Sequence, residues 1–304
     1  MAAPNGAADP TLHLPRILCL HGGGTNARIF RMQCRSLSRS LAPHFRLAYA
    51  EAPFVSESPG PDVLSVYADY GPFKRWLRWL PEHDHPTDDA DAVRALDGAL
   101  DAAIRADDAL GADGPWVGLL GFSQGAKMVA SLLFRAQVLA ESGGGGGGGV
   151  GAGAGLSSGG GAGSSSDGGG GALGGSGGSV VSSIRWRFAV ILAGRSPIVS
   201  LVDPSVFSSP LLADPSEFGL HAPPDLMEVA RGRHILKLPT IHVHGLSDPG
   251  LPLHRDLLDS YCDPATARLV EWDGAHRLPL KATDVNPVVE QMLEVARETG
   301  ALKE

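Results

Sequence analysis

The stretch PWVGLLGFSQGAKMVASLLF, residues 115–134, constrains the chain more than any other. An apolar run of strand length ends in Gly-Phe-Ser-Gln-Gly, and an apolar stripe at helical spacing begins at once. An apolar run without alternation reads as a strand covered on both faces, which is the habit of parallel sheets with helices on each side. A turn that passes straight from such a strand into a helix is sharp and strained. It needs small residues two positions either side of its apex. Gly121 and Gly125 stand in those places around Ser123.

The same pattern recurs along the chain. RILCLHG (16–22), FRLAYAEAP (45–53), WVGLLG (116–121), FAVILAG (188–194), TIHVHG (240–245) and ARLVEWDG (267–274) read as strands. Helices are expected over 26–41, from about Asp88, over 124–141, over 252–261 and from about 284. In the second of these, Val93, Leu96, Leu100 and Ile104 recur at helical spacing opposite an acidic face, with Thr87 or Asp88 as cap. Continuous apolar strands separated by helices predict an α/β fold: a mostly parallel central sheet with helices on both faces. Residues 195–236, with prolines at 197, 204, 210, 215, 223 and 224, break the rhythm. They read equally as a small cap over the sheet or as a surface excursion.

One segment stands apart. Residues 142–179 hold 22 glycines, 8 serines and 4 alanines. Such a segment has little to bury and much entropy to lose on ordering. It reads as a flexible insertion. Loop-closure entropy grows slowly with length, so an insertion of this size need not unfold its host. The alternation of strand and helix continues beyond it. Residues 15–304 are therefore expected to form one domain interrupted at 142–179, after a disordered lead-in over 1–14.

Ligands of a parallel sheet sit beyond the carboxyl ends of its strands. Ser123 lies at such an end, in the Gly-x-Ser-x-Gly context of a nucleophile elbow in the α/β-hydrolase fold. A serine hydroxyl needs a base, and in this fold the chain order is Ser, acid, His. His276, on the loop after the last strand, is the candidate base. His242 and His244 share one face of a strand and read as structural residues with local hydrogen bonds; His254 sits early in a helix. Asp248, in HVHGLSDPG after the fifth strand, is the candidate acid. It would hold the His276 ring in one tautomer and stabilise the imidazolium. Asp273 is the runner-up and reads as a turn residue. The oxyanion of an acyl transfer needs donors. The backbone N–H of Gln124 supplies one, and that of Gly23 or Gly24 in HGGGTN (21–26) the other.

Competing chemistries fit less well. The glycines at 22–24 lack the lysine of a P-loop and the spacing of a dinucleotide fingerprint. His83 and His85 in EHDH (82–85) lie in a polar loop, and no paired Cys/His set or HExxH exists, so no metal and no cofactor is expected. A net charge of −8 without a basic patch argues against nucleic acid. No apolar run reaches the roughly 18–20 residues of a membrane span, and the N-terminus does not read as a secretory signal. Cys19, Cys34 and Cys262 are an odd, sparse set, suited to a reducing compartment. The alternative to an enzyme is a catalytically silent α/β-hydrolase acting as a binding module; a complete Ser, Asp, His set disfavours it.

With these residues placed, the chain resembles the fungal serine hydrolases of the FSH type. The carrying stretches are ILCLHGGGTNARIFRMQ, GFSQGAKMVASLL, HVHGLSD and GAHRLP, and they span nearly the whole chain. Ala275 replaces a glycine usual before the histidine, and the glycine tract is not a family feature. The resemblance implies a cytoplasmic carboxylic ester or thioester hydrolase without cofactors. It also implies a place in fungal polyketide metabolism, with the carrier domain of a synthase as a partner. Aromatics in GPFKRWLRWLP (71–81) read as core packing more readily than as an acyl pocket.

Overall fold

The computed structural model describes residues 9–60, 63–143, 179–217 and 226–303. Eight strands run in chain order: β1 (Arg16–Leu20), β2 (Arg46–Ala50), β3 (Phe54–Ser56), β4 (Phe73–Arg75), β5 (Trp116–Phe122), β6 (Phe188–Leu192), β7 (Thr240–Gly245) and β8 (Ala267–Trp272). Between and after them lie α1 (Ala27–Gln33), α2 (Arg35–Leu41), α3 (Leu64–Tyr67), α4 (Asp89–Ala109), α5 (Gln124–Gly143), α6 (Val180–Ser183), α7 (Leu226–Arg231), α8 (Leu251–Tyr261) and α9 (Ala282–Glu298).

Six strands form one sheet in the order β2-β1-β5-β6-β7-β8. Every pairing in it is parallel. Both faces of the inner strands β1, β5, β6 and β7 are covered, and these strands are buried almost throughout, whereas the edge strand β8 leaves Leu269 and Glu271 exposed. Leu18 and Leu20 of β1 join one buried cluster with Leu96, Leu100 and Ile104 of α4 and Met128, Val129 and Leu133 of α5. Ile17 and Cys19, pointing the other way, join a second cluster with Phe30, Leu37 and Leu41 of α1 and α2 and Val285, Val288 and Met292 of α9. The chain runs from β1 outward to β2 and returns to place β5 on β1's other side. That reversal opens a crevice at the carboxyl ends of β1 and β5. The expected α/β-hydrolase architecture, a parallel sheet with helices on both faces, is what is found.

Local expectations hold with three differences. The helix expected over 26–41 is two, divided at Cys34 (φ −76°, ψ 2°). The loop after β2 carries a small antiparallel hairpin, β3 with β4, too short to announce itself by periodicity. Residues 9–14, expected within a disordered lead-in, are tied down by charge. The Asp9 carboxylate accepts from Arg46 at 2.7 Å and from the Thr11 hydroxyl at 2.7 Å. Residues 1–8 lie outside the described residues, as do 144–178 of the glycine tract. β5 before that tract pairs directly with β6 after it. As expected, Asp88 caps α4, its side chain accepting from the Asp91 N–H.

The irregular stretch after β6 packs across α5. Phe207 meets Phe134 at 5.4 Å between ring centroids, and the Val199 N–H donates to Ser131 Oγ at 2.9 Å. Residues 218–225 of the segment read as a cap or excursion lie outside the described residues. Cys19, Cys34 and Cys262 are all free and buried. Among the described residues no helix is long and apolar enough to cross a membrane.

Candidate active site

Ser123 sits at the apex of the turn between β5 and α5 with φ 54°, a left-handed conformation that a non-glycine residue adopts only under constraint. The reason for the flanking glycines is steric. A Cβ on Gly121 would stand 2.2 Å from the Gly125 carbonyl oxygen, and one on Gly125 would stand 2.1 Å from that of Leu20. The turn can exist only with α5 lying this close to β5 and β1. The Ser123 N–H donates to the Leu192 carbonyl at 2.9 Å, and the Ser123 carbonyl accepts from the Lys127 N–H.

Two loops at the other end of the crevice bring the acid and the histidine in. Leu246 N–H donates to Trp272 O and Ser247 N–H to Gly274 O, so the loops after β7 and β8 are stitched together. Gly245 permits the contact: a Cβ there would lie 2.5 Å from the Gly274 carbonyl oxygen. The result is a continuous chain of hydrogen bonds. His276 Nδ1 lies 2.7 Å from Asp248 Oδ2, and His276 Nε2 lies 2.9 Å from Ser123 Oγ. Asp248 is buried, and its other oxygen accepts from the Gly250 N–H at 2.7 Å. Burial opposes the charge on Asp248. The Gly250 N–H and the His276 ring outweigh it and hold the carboxyl below its ordinary range. Asp248 rather than Asp273 is thus the carboxylate bonded to His276. The Phe122 ring lies against the imidazole, centroids 5.0 Å apart.

The loop after β1 is held rigidly beside the serine. His21 accepts the Ala52 N–H at Nε2, which leaves Nδ1 to donate to the Gly22 carbonyl. Asn26 caps α1 by accepting from Ile29 and donates to the carbonyls of Tyr70 and Pro72. The two candidate glycines differ in their surroundings. Gly24 N–H donates to the Lys74 carbonyl at 2.9 Å, so it is already engaged. Gly23 is next to Gln124: a Cβ on it would lie 3.1 Å from Gln124 Oε1 and 2.7 Å from the Trp79 ring. The Gln124 side chain is itself fixed, accepting from the N–H groups of Trp76 and Leu77. Its backbone N–H opens α5, where a helix leaves N–H groups without intrahelical acceptors. Of the aromatics in 71–81, Trp76 is core, fully buried with its Nε1–H on the His21 carbonyl. Trp79 is half-buried against Gly23.

Other histidines fall as follows. His242 is buried and pairs with Thr240 Oγ1 at 3.2 Å, a local bond as expected. His244 is also buried, but neither of its ring nitrogens has a partner, against expectation. His85 bonds Arg75 and the Pro215 carbonyl, and His83 faces Trp79; neither belongs to a metal-ligating group among the described residues. His254, read only as a helix residue, is drawn into the site. Its Nε2 lies 3.9 Å from Asp248 Oδ2, and its ring stacks on His276. Burial pushes His254 down to about 4 and His242 down to about 3. The sequence signal for His254 is its place one turn into the helix that follows the acid loop.

Comparison with known proteins shows the family. The model of the family described as Serine hydrolase (FSH1) matches residues 11–288. The chain belongs to the FSH1 serine hydrolase family. Esterase pigG of Monascus ruber is 51% identical over 305 residues, covering 100% of this chain and 99% of the relative. Esterase GME11355 of Pestalotiopsis microspora is 47% identical, covering 97% of each. Probable esterase tazC of Aspergillus terreus is 45% identical over the same shares. As an FSH1 family member the chain is a serine hydrolase, and these relatives cover 97–100% of it.

Proposed function

We propose that this serine hydrolase cleaves a carboxylic ester or thioester through an acyl-enzyme on Ser123. The observation that carries the reading is the unbroken line Ser123 Oγ, His276 Nε2, His276 Nδ1, Asp248 Oδ2, with contacts of 2.9 and 2.7 Å. Asp248 receives the Nδ1–H, so Nε2 of a neutral ring is free to accept the serine proton. Ser123 Oγ attacks the acyl carbonyl as His276 takes that proton. The carbonyl oxygen becomes an oxyanion, held by the backbone N–H groups of Gln124 and Gly23. His276 returns the proton to the leaving alcohol or thiol. Water, giving a proton to the same nitrogen, then attacks the acyl carbonyl; as the bond to Ser123 Oγ breaks, that proton passes to the serine and the acid leaves.

The relatives named as esterases support the ester, and nothing in these steps excludes a thioester. We read the substrate as a small acyl ester or thioester of fungal polyketide metabolism, including an acyl chain on a carrier domain. The setting is cytoplasmic, in keeping with three free cysteines. We also read residues 15–304 as a single domain with the glycine tract as an insertion, because strands on either side of the tract are neighbours.

The test is steady-state hydrolysis of p-nitrophenyl esters and of N-acetylcysteamine thioesters by the native chain and by Ser123→Ala. Removal of the nucleophile should cost about three or more orders of magnitude in kcat. The ratio of the two kcat/KM values assigns the leaving group. A Ser123→Ala chain with native rates would overturn the assignment.

A further inference from the structure

We propose that Asp248, His254 and His276 form a site for a divalent ion of the zinc type, and that the bound ion switches the hydrolase off. One ligand atom from each of the three residues lies within 4.8 Å of the others. Asp248 Oδ2 stands 2.7 Å from His276 Nδ1 and 3.9 Å from His254 Nε2. A tetrahedral zinc with bonds of about 2.0–2.1 Å holds its ligand atoms about 3.4 Å apart. The first distance must open by about 0.7 Å, the second close by about 0.5 Å, and the separation of the two imidazole ligand atoms, at most 4.8 Å, close by up to about 1.4 Å.

The second observation is His254 itself. Its ring is fully buried, and neither nitrogen has a hydrogen-bond partner. A buried imidazole left this way gives up its hydration and receives nothing for it. Nothing in the reaction as derived uses the ring, yet it faces the Asp248 carboxylate. Two imidazoles and one carboxylate are a donor set that zinc takes while keeping its fourth position open. The half-buried His276 leaves a way in from the substrate side. Arg195 is the nearby opposing charge: a Cβ on Gly250 would lie 2.8 Å from its guanidinium and 3.0 Å from His254 Nε2. It weakens the site, and the ionised Asp248 works against that.

Occupation would act on the proton of His276. In the unliganded ring that proton is on Nδ1, toward Asp248, and Nε2 accepts from Ser123. An ion on Nδ1 displaces the proton, and in the neutral ring it moves to Nε2. The nitrogen facing Ser123 is then a donor and has no lone pair for the serine proton. No proton is gained or lost overall. This loss of activity rests on the proposed role of His276; the binding of the ion does not.

The experiment uses the full-length, tag-free chain carrying Ser123→Ala, titrated with Zn²⁺ by calorimetry. His254→Gln and His254→Cys are titrated in the same background. The expected result is one ion per chain, held at least about tenfold more weakly by His254→Gln. His254→Cys, which offers a thiolate in place of the ring nitrogen, should keep the ion. In the native background, zinc should suppress fluorophosphonate labelling and a chelator should restore it. In the His254→Gln chain, zinc should no longer alter whatever labelling rate that chain has. No ion bound by Ser123→Ala, or an ion that His254→Gln and His254→Cys hold equally well, would overturn the proposal. An ion bound as described by a native chain that never labels would leave the metal site standing and remove the proposed hydrolytic mechanism instead.

Discussion

Acid should destabilise this chain through its buried histidines, and His242 shows by how much. Its ring is 1% exposed, and its one hydrogen bond is to Thr240. Burial, with His244 and His254 close by, holds it down to about 3, against 6.5 for a free imidazole. The folded value is the lower one, so the folded chain binds the proton less well than the unfolded chain does. The stabilisation is fully present above about pH 6.5 and is lost as pH falls toward about 3. Each pH unit between those limits costs about 1.4 kcal/mol. From pH 6.5 to pH 5 the loss from this one ring is about 2 kcal/mol, against a typical total stability of roughly 5–15 kcal/mol. His254, pushed down to about 4, and His244, also lowered by burial, act in the same direction. The assay is urea unfolding at pH 7, 6 and 5 for the native chain and for His242→Gln. The native chain should lose about 2 kcal/mol more than the variant on acidification. Parallel curves would refute the reasoning, because the remaining titrating groups are common to both chains.

Gly125→Ala puts a Cβ 2.1 Å from the Leu20 carbonyl oxygen; since backbone must shift, melting should show a loss of roughly 1–3 kcal/mol or more, with ester hydrolysis falling further than stability. Asp248→Asn keeps the shape but can present an N–H to His276 Nδ1 and reverse the tautomer. Kcat should fall by about 10⁴ with KM little changed, and a variant within tenfold of native would argue that another group orients the ring. Deleting residues 143–178 should leave activity within a few-fold and the chain folded, as read by hydrolysis and circular dichroism. A deletion chain that cannot fold would overturn the insertion reading.

How far the sequence was legible depended on how each residue's neighbours are specified. The inner sheet strands were readable because burial on both faces leaves them continuous apolar runs, and the edge strands β2 and β8 because short partly apolar runs recur at the same spacing between helices. The β3–β4 hairpin was not, since three residues show no period. Ser123 was readable because the clash at Gly121 and Gly125 is local, and two glycines five positions wide record it. Asp248 and His276 were readable only through chain order, since the 2.7 Å contact between them depends on loops stitched across β7 and β8. His254 is the early helix residue expected, but its place beside the acid was not legible for the same reason: its helix carries an ordinary amphipathic pattern, and nothing in that pattern says that its first turn faces Asp248. What distinguishes Gly24 from Gly23 is Lys74, about fifty residues away, whose carbonyl takes the Gly24 N–H. The lead-in at 9–14 looked disordered because its sequence has little to bury, whereas what orders it is a carboxylate reaching Arg46 on β2.

A serine activated by a neighbouring imidazole reacts with an electrophilic phosphonate far faster than a surface serine does. The most direct measurement is covalent labelling by a fluorophosphonate probe, located by mass spectrometry. If His276 activates Ser123, the native chain should carry a single adduct on Ser123, Ser123→Ala none, and His276→Ala should label slower by several orders of magnitude. An unlabelled but folded native chain, or a His276→Ala chain that labels at the native rate, would contradict it.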